Sequence, residues 1–257
     1  MSNITIKALQ NDLIQWIGAI DDAAVLKNLL HLKKKYNDDN KKKNKKKYFE
    51  EKSYYSLADL KKIVKKFPKD KKWKFQDIIK YFPKNLQHKV EILNNKIIIM
   101  ASPSTIHQEI SNDLSFLMTS FVKKNKLGKI YNAPMDTKFD DDNLEQPDIL
   151  FIVITRLDII TKNFIDGAPD LIVEIMSPAN KKKERDEKHD LYEKKGVKEY
   201  WTIFPKKREI IVEILENQKY KIIAKAKKQG IIQSSVLNGF AINIEDIMPK
   251  NLFQREK

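Results

Sequence analysis

The sequence predicts an α/β protein: a central mixed sheet flanked by helices, with a separate helical hairpin in front. Three observations predict it. The runs "DILFIVI" (148–154) and "DLIVEIM" (170–176), apolar apart from their leading aspartates and Glu174, have the composition of central strands covered on both faces. An amphipathic stripe of Ile106, Ile110, Leu114, Leu117, Met118 and Phe121 precedes them at helical spacing. Hairpin-like β-rich segments stand on either side, so the order helix, three strands, helix, strand describes an α/β sandwich with a mixed sheet.

From the front, Leu9, Leu13, Trp16, Ile17 and Ile20, then Val25, Leu26, Leu29 and Leu30, recur at three and four and read as two short helices over residues 1–36. Asp21 or Asp22 is placed to cap the second. Two such helices cannot bury enough surface alone, so their apolar faces need the main domain or a partner chain, and a second copy forming a homodimer is the favoured partner. "NDDNKKKNKKK" (37–47) has no apolar residue and reads as part of a solvated basic linker over 37–52. The main domain then takes residues 53–257.

Ser56 and Asp59 form a capping-box-like start to "SLADLKKIVKKF", although Asp replaces the usual Glu or Gln. "HKVEILNNKIIIM" (88–100) reads as a hairpin turned by Asn94-Asn95, since asparagine tolerates positive φ. Ser104 is placed to cap the amphipathic helix. Residues 131–139 resume strand character, and the acidic turn Asp140–Asn143 is expected to return the chain into the first apolar run. After the second run, residues 183–195 are helical in composition and close on Gly196. "KEYWTIF", the hairpin "REIIVEILENQKYKIIAKA" and "SSVLNGFAINIEDIM" complete the domain.

Composition limits the chemistry. Without cysteine there is no disulfide, thiolate metal site or cysteine nucleophile, which leaves oxygen and imidazole ligands. No run is apolar and long enough to cross a bilayer, and "MSNITIKALQ" lacks a secretory pattern, so a soluble cytoplasmic protein without membrane partners is expected. The formal charge of +15 lies at the front: residues 1–100 hold 24 lysines against 11 acids. Because the chain is rich in Lys, Ile and Asn and poor in Gly, an AT-rich genome explains this equally well, and charge alone is not taken as evidence for DNA contact.

The chemistry lies in an anomaly. Glu174 sits inside an apolar strand, where an unpaired carboxylate is costly and is normally paired, neutralised or bound to metal. Asp148 begins the preceding apolar run, so the two carboxylates meet if those strands are neighbours. Lys188 lies on the next helix, on one face with Glu184 and Tyr192. Two carboxylates and an ammonium suit phosphodiester hydrolysis: the acids hold a hard divalent cation, and the lysine positions or deprotonates a water and steadies negative charge. Taken singly, each residue has a plainer reading: Asp148 as a turn acid after Pro147, Glu174 and Lys188 as a buried ion pair.

The succession "VEILNNKIIIMASPSTIHQEI", "QPDILFI", "PDLIVEIMSP", Lys188-Tyr192-Gly196, "VKEYW" and "SSVLNGFAINIEDI" resembles the Uma2 family of restriction-endonuclease-like proteins, within the PD-(D/E)xK nuclease superfamily, from about Val90 to Met248. The resemblance implies a restriction-endonuclease-like core in which Asp148 and Glu174 are catalytic acids and metal ligands, with the Ile175 carbonyl as a further ligand. Met176 stands where the motif's lysine belongs, and Lys188 on the following helix takes its place. His107 matches a histidine of the family and would line the site. Asp170 also matches, but four strand residues span about 13 Å, so it reads as a structural acid. Glu184 and Asn95 depart mildly from the family's Asp and Gly, and the first 50 residues have no counterpart.

The expected function is a Mg²⁺- or Mn²⁺-dependent endonuclease acting on DNA through Asp148, Glu174 and Lys188. The alternative is a non-catalytic regulator that keeps the nuclease-like scaffold and binds nucleic acid or protein through its front. Glycoside hydrolysis by the paired acids is disfavoured, because it leaves Lys188 unexplained.

Overall fold

The computed structural model describes residues 6–43, 55–83, 86, 88–177 and 182–249. The chain divides into two compact units, Met1–Tyr48 and Phe49–Lys257. In the first, α1 (Ile6–Gly18) and α2 (Ala23–Lys43) are the expected helices. Asp22 caps α2 by accepting the N–H groups of Ala24 at 2.7 Å and Val25 at 3.3 Å. α2 continues past Tyr36 to Lys43, into the stretch expected to be linker. The remainder of that expected linker lies outside the described residues.

The second unit opens with α3 (Leu57–Val64) and α4 (Phe75–Tyr81). Asp59 completes the capping box: Ser56 Oγ accepts its N–H, and its carboxylate accepts the Ser56 N–H, each at 3.2 Å. Tyr55, Leu60, Ile63, Trp73, Phe75 and Phe82 form a small core against Val90 and Ile92 of β1 (Val90–Leu93). β1 turns into β2 (Lys96–Ile99) through Asn94 and Asn95, whose φ values of 49° and 62° are those of a tight hairpin. α5 (Thr105–Asn125) follows, capped by Ser104 as expected.

β3 (Gly128–Asn132), β6 (Ile149–Val153), β8 (Leu171–Ile175), β9 (Glu199–Phe204), β10 (Glu209–Glu216) and β11 (Lys219–Lys227) form a six-stranded sheet in the order β11-β10-β9-β8-β6-β3. It is mixed: β8 and β9 run parallel and the other neighbours antiparallel. β4 (Thr137–Asp140), β5 (Asn143–Glu145) and β7 (Ile165–Asp166) join the first hairpin in a five-stranded sheet, β2-β1-β5-β4-β7. The acidic turn therefore returns the chain into β5, in the five-stranded sheet, and not into the apolar run. Pro147, which has no N–H for a ladder, stands where the chain crosses from β5 to β6.

The central strands β6, β8 and β9 of the six-stranded sheet are covered on both faces, as their apolar composition requires. Leu171, Val173 and Ile175 of β8 face Ile110, Leu114, Met118 and Val122 of α5. Ile172 faces Leu191 and Tyr192 of α6 (Lys182–Lys195), which ends on Gly196 at φ 81°. Strand alternation puts Glu174 on the α6 side as well. β12 (Ile231–Gln233), β13 (Ala241–Asn243) and α7 (Ile244–Ile247) close the α5 side, adding Ile232, Ile242, Ile244 and Ile247 to that core.

Candidate active site

The sequence places Asp148 immediately before β6 and Glu174 near the end of β8, and the antiparallel register Ile149↔Val173 sets those positions side by side. Asp148 is buried, and its Oδ2 accepts the N–H of Ile175, the residue after Glu174, at 2.8 Å. The same oxygen lies 3.0 Å from Nε2 of His107, in the first turn of α5. Its other oxygen meets the Lys89 ammonium at 2.6 Å, and that ammonium also donates to the carbonyl of Gln146 at 2.8 Å. Burial would push the Asp148 carboxyl up, but attraction to Lys89 and the hydrogen bond to His107 outweigh it and hold the group well below the usual carboxylate range.

Glu174 stands under α6. Tyr192 Oη donates to Glu174 Oε1 at 2.7 Å, and the Lys188 ammonium is 3.5 Å from the same atom. Lys188 is itself buried, held 2.9 Å from Glu91 Oε2 and 2.8 Å from Glu145 Oε2. Glu91 comes from β1 and Glu145 from β5, so the five-stranded sheet contributes two acids to a site that the six-stranded sheet and α6 begin. Burial lowers the proton affinity of the Lys188 amine, but Glu145, Glu174 and Glu91 reverse this and hold it charged well above its ordinary range. Burial pushes the Glu145 carboxyl well above its ordinary value, and Lys188 offsets only part of the shift. Burial raises Glu174 too, for the same reason.

Asp148, Glu174, Lys188 and His107 thus converge. Asp170 does not join them: it accepts from the Val153 N–H at 2.9 Å and pairs with Arg156 at 3.0 Å and Lys198 at 2.8 Å, which is the structural role expected of it. The Ile175 group turned toward Asp148 is its N–H. Sequence reasoning missed Lys89, Glu91 and Glu145. Glu91 carried the same signal as Glu174, an acid within the apolar strand "VEIL", whereas Glu145 in "NLEQPD" and Lys89 carried none.

Four carboxylates (Asp148, Glu174, Glu91, Glu145) face two ammoniums, and Glu145 Oε1 is a buried oxygen without a donor among the described residues. An excess of hard oxygen donors fits a divalent cation. Among the described residues no three His, Asp or Glu side chains are arranged as a ready-made metal cage. A magnesium site needs none, since this ion uses one or two carboxylates and retains several waters, and Asp148 and Glu174 are the pair that could supply them.

Comparison with known proteins agrees with this architecture. A solved structure described as "a putative nuclease belonging to DUF820", from Anabaena variabilis ATCC 29413, superposes with a TM-score of 0.53 at 21% identity, over 62% of this chain and 88% of that one. At that identity the likeness is one of fold: a mixed α/β nuclease-like core. No curated protein matches the chain. The family model "Uma2: Putative restriction endonuclease" matches residues 75–245, from α4 to α7, and takes in every residue of the site. With more than half of its length under that model, the chain belongs to the Uma2 family.

Proposed function

We propose that this protein is a metal-dependent endonuclease that hydrolyses phosphodiester bonds in DNA. The observation that carries the reading is the meeting of Asp148, Glu174 and Lys188 at one point from β6, β8 and α6, with the Asp148 carboxylate bonded to the amide beside Glu174. The family's description as restriction endonucleases supports it. Asp148 and Glu174 would hold Mg²⁺ or Mn²⁺, which when bound supplies Lewis-acid polarisation of the phosphate and a more acidic water. Lys188, held beside three carboxylates, would steady negative charge on the phosphoryl oxygens. His107 and Lys89 orient the Asp148 carboxylate and act through it.

The test is cleavage of supercoiled and linear DNA with Mg²⁺ or Mn²⁺, alongside thermal unfolding with and without the metal. Wild type should cut and should unfold at a higher temperature with metal, since a ligand that binds only the folded state stabilises it. Asp148→Asn and Glu174→Gln, which keep shape and most hydrogen bonds, should lose cutting by at least a hundredfold together with the metal-induced shift. Equal activity in wild type and both variants removes the proposal. The non-catalytic regulator is favoured by one observation, the saturation of Asp148 by Lys89, His107 and an amide; it predicts nucleic-acid binding that needs no metal and no cutting under any condition.

The N-terminal helices enter this reading as the contact for a second copy. Leu13, Ile14, Trp16, Leu30 and Leu32 are each more than half exposed, an apolar surface that ordinary solvated helices do not show. Sedimentation should find a dimer at micromolar concentration that Trp16→Glu with Leu30→Glu converts to monomer. A wild-type monomer throughout that range removes the dimer.

A further inference from the structure

Lysine content says little in this chain, but lysine pairing says more. On α6, Lys182 pairs with Asp186, Lys183 with Glu187 and Lys195 with Asp140. The α3–α4 layer differs. Residues 55–83 hold nine lysines against three aspartates. Asp59 is used in the α3 capping box and Asp77 takes Lys71. Lys61, Lys62, Lys65, Lys69 and Lys72 are all exposed, and among the described residues none of them pairs with a carboxylate. Leu60 and Ile63 turn the other side of α3 into the core, so Lys61, Lys62 and Lys65 share its solvent side, with Lys61 and Lys65 repelling each other at i,i+4. The end of a helix favours positive charge, which accounts for some of this; Lys69 and Lys72 lie beyond that influence.

This layer is tied to the candidate site through one strand. Val90 and Ile92 of β1 pack under α3 and α4, while Glu91 between them points the other way, to Lys188. A ligand lying along α3 is therefore held on the back of the strand that carries a site acid.

We propose that the exposed face of α3 and the loop to α4 is a docking surface for the phosphate backbone of duplex DNA, read without regard to sequence. The choice of partner rests on the nuclease reading of the site. The surface fits it because a duplex carries one negative charge per ~1.7 Å, twice the axial density of a single strand, and point-charge ammoniums without local partners release its condensed counterions.

The experiment measures binding of a labelled 20-base-pair duplex by the full chain in EDTA, from 50 to 200 mM salt. The variant Lys61→Gln, Lys62→Gln, Lys65→Gln, Lys69→Gln, Lys72→Gln is compared with Lys123→Gln, Lys124→Gln, Lys126→Gln. The latter three lysines lie at the far end of α5, about 24 Å along the helix from His107. With ~0.9 of log-log salt slope per phosphate contact, the first variant should lower the slope by about 2 to 4 and weaken binding at least tenfold at 150 mM. The second should leave the slope within about 1 of wild type. The first variant should also unfold no earlier than wild type, because only repulsion is removed. No duplex binding by wild type, a slope change below 2, or a comparable change in the α5 variant overturns the proposal. Since EDTA excludes cutting, a protein that binds as described but never cleaves refutes the nuclease reading alone, and one that cleaves with an unchanged slope refutes this surface alone.

Discussion

Replacing Lys188 by Met should destabilise the second unit in a pH-dependent way. The ammonium is buried and lies within 3 Å of Glu91 and Glu145 and 3.5 Å from Glu174, so its removal leaves three buried carboxylates facing each other. Removing one partner of a buried pair costs about 3–5 kcal/mol. For a unit of roughly 200 residues, at about 2–4 °C per kcal/mol, this is a fall of about 6–20 °C in unfolding temperature at pH 7.5. The carboxyls of Glu145 and Glu174 already have raised folded-state pKa values. Losing Lys188 raises them further, so the folded variant binds more protons than the unfolded chain above the ordinary Glu pKa. The deficit must then shrink as pH falls from 7.5 toward 5. Unfolding followed by fluorescence, with buried Trp201 and Trp73 as probes, reads both quantities. A fall below 2 °C at pH 7.5, or a deficit that is the same at pH 5, refutes the placement of the ammonium among these acids. The same reasoning makes Lys188→Ala a poor activity probe, because a lost fold and a lost catalyst would look alike.

Asp148 has the opposite linkage: its carboxyl is held below its ordinary value, so it contributes stability above the unfolded pKa that is lost as pH falls through the folded one. Asp148→Asn should therefore be less stable than wild type at pH 7, with the difference closing below about pH 4 in an acid titration; a constant gap refutes it. Asp170→Asn should lower the unfolding temperature by several degrees, since Arg156 and Lys198 lose a buried partner, yet leave any metal-induced thermal shift unchanged. Loss of that shift would move Asp170 into the site. Glu199 is buried, has no cationic partner among the described residues, and accepts from Trp201 Nε1, Ser234 Oγ and the N–H groups of Ser235 and Val236, at 2.6–2.8 Å. Glu199→Ala leaves these donors unsatisfied, and at about 1–3 kcal/mol for each group that water cannot reach it should cost at least 3 kcal/mol and shift Trp201 fluorescence. An unshifted spectrum or a cost under 1 kcal/mol refutes that role.

The legible parts of the fold are those encoded locally. Asn94-Asn95, the Ser56 and Ser104 caps, Gly196 and the stripe on α5 each specify their element within a few residues, and the apolarity of β6 and of β8 apart from Glu174 announces strands covered on both sides. Glu174 was legible because an acid in such a strand demands a partner. The second set of partners was not. Glu91 and Glu145 lie 97 and 43 positions before Lys188 in the chain, on a different sheet, and only strand register decides that they turn toward it. The division into two sheets was hidden for the same reason: β4 and β5 are half-polar strands whose hairpin looks, in sequence, like a continuation toward β6. Lys188 is one of several lysines on a helix whose buried apolar residues are Leu191 and Tyr192, so its burial could be inferred from Glu174 but not from α6 itself.

The two readings that the sequence left open for Glu174, structural ion pair or metal ligand, do not compete once the acids are counted. An interior that needed a carboxylate only to answer one lysine would be complete with a single acid, and buried pairs of that kind are often no better than apolar residues of the same volume. Here Lys188 meets three carboxylates, Lys89 meets a fourth, and Glu145 is left with an oxygen that no donor among the described residues reaches and a carboxyl pushed toward its protonated form. That arrangement is costly for the fold and lies where the two sheets and α6 converge. Perturbed acids concentrated at one such junction are what the proposed nuclease reading requires. Lys188 makes these acids tolerable in the folded chain, and in the proposed nuclease the same fixed positive charge would stand beside the carboxylates that hold the cation.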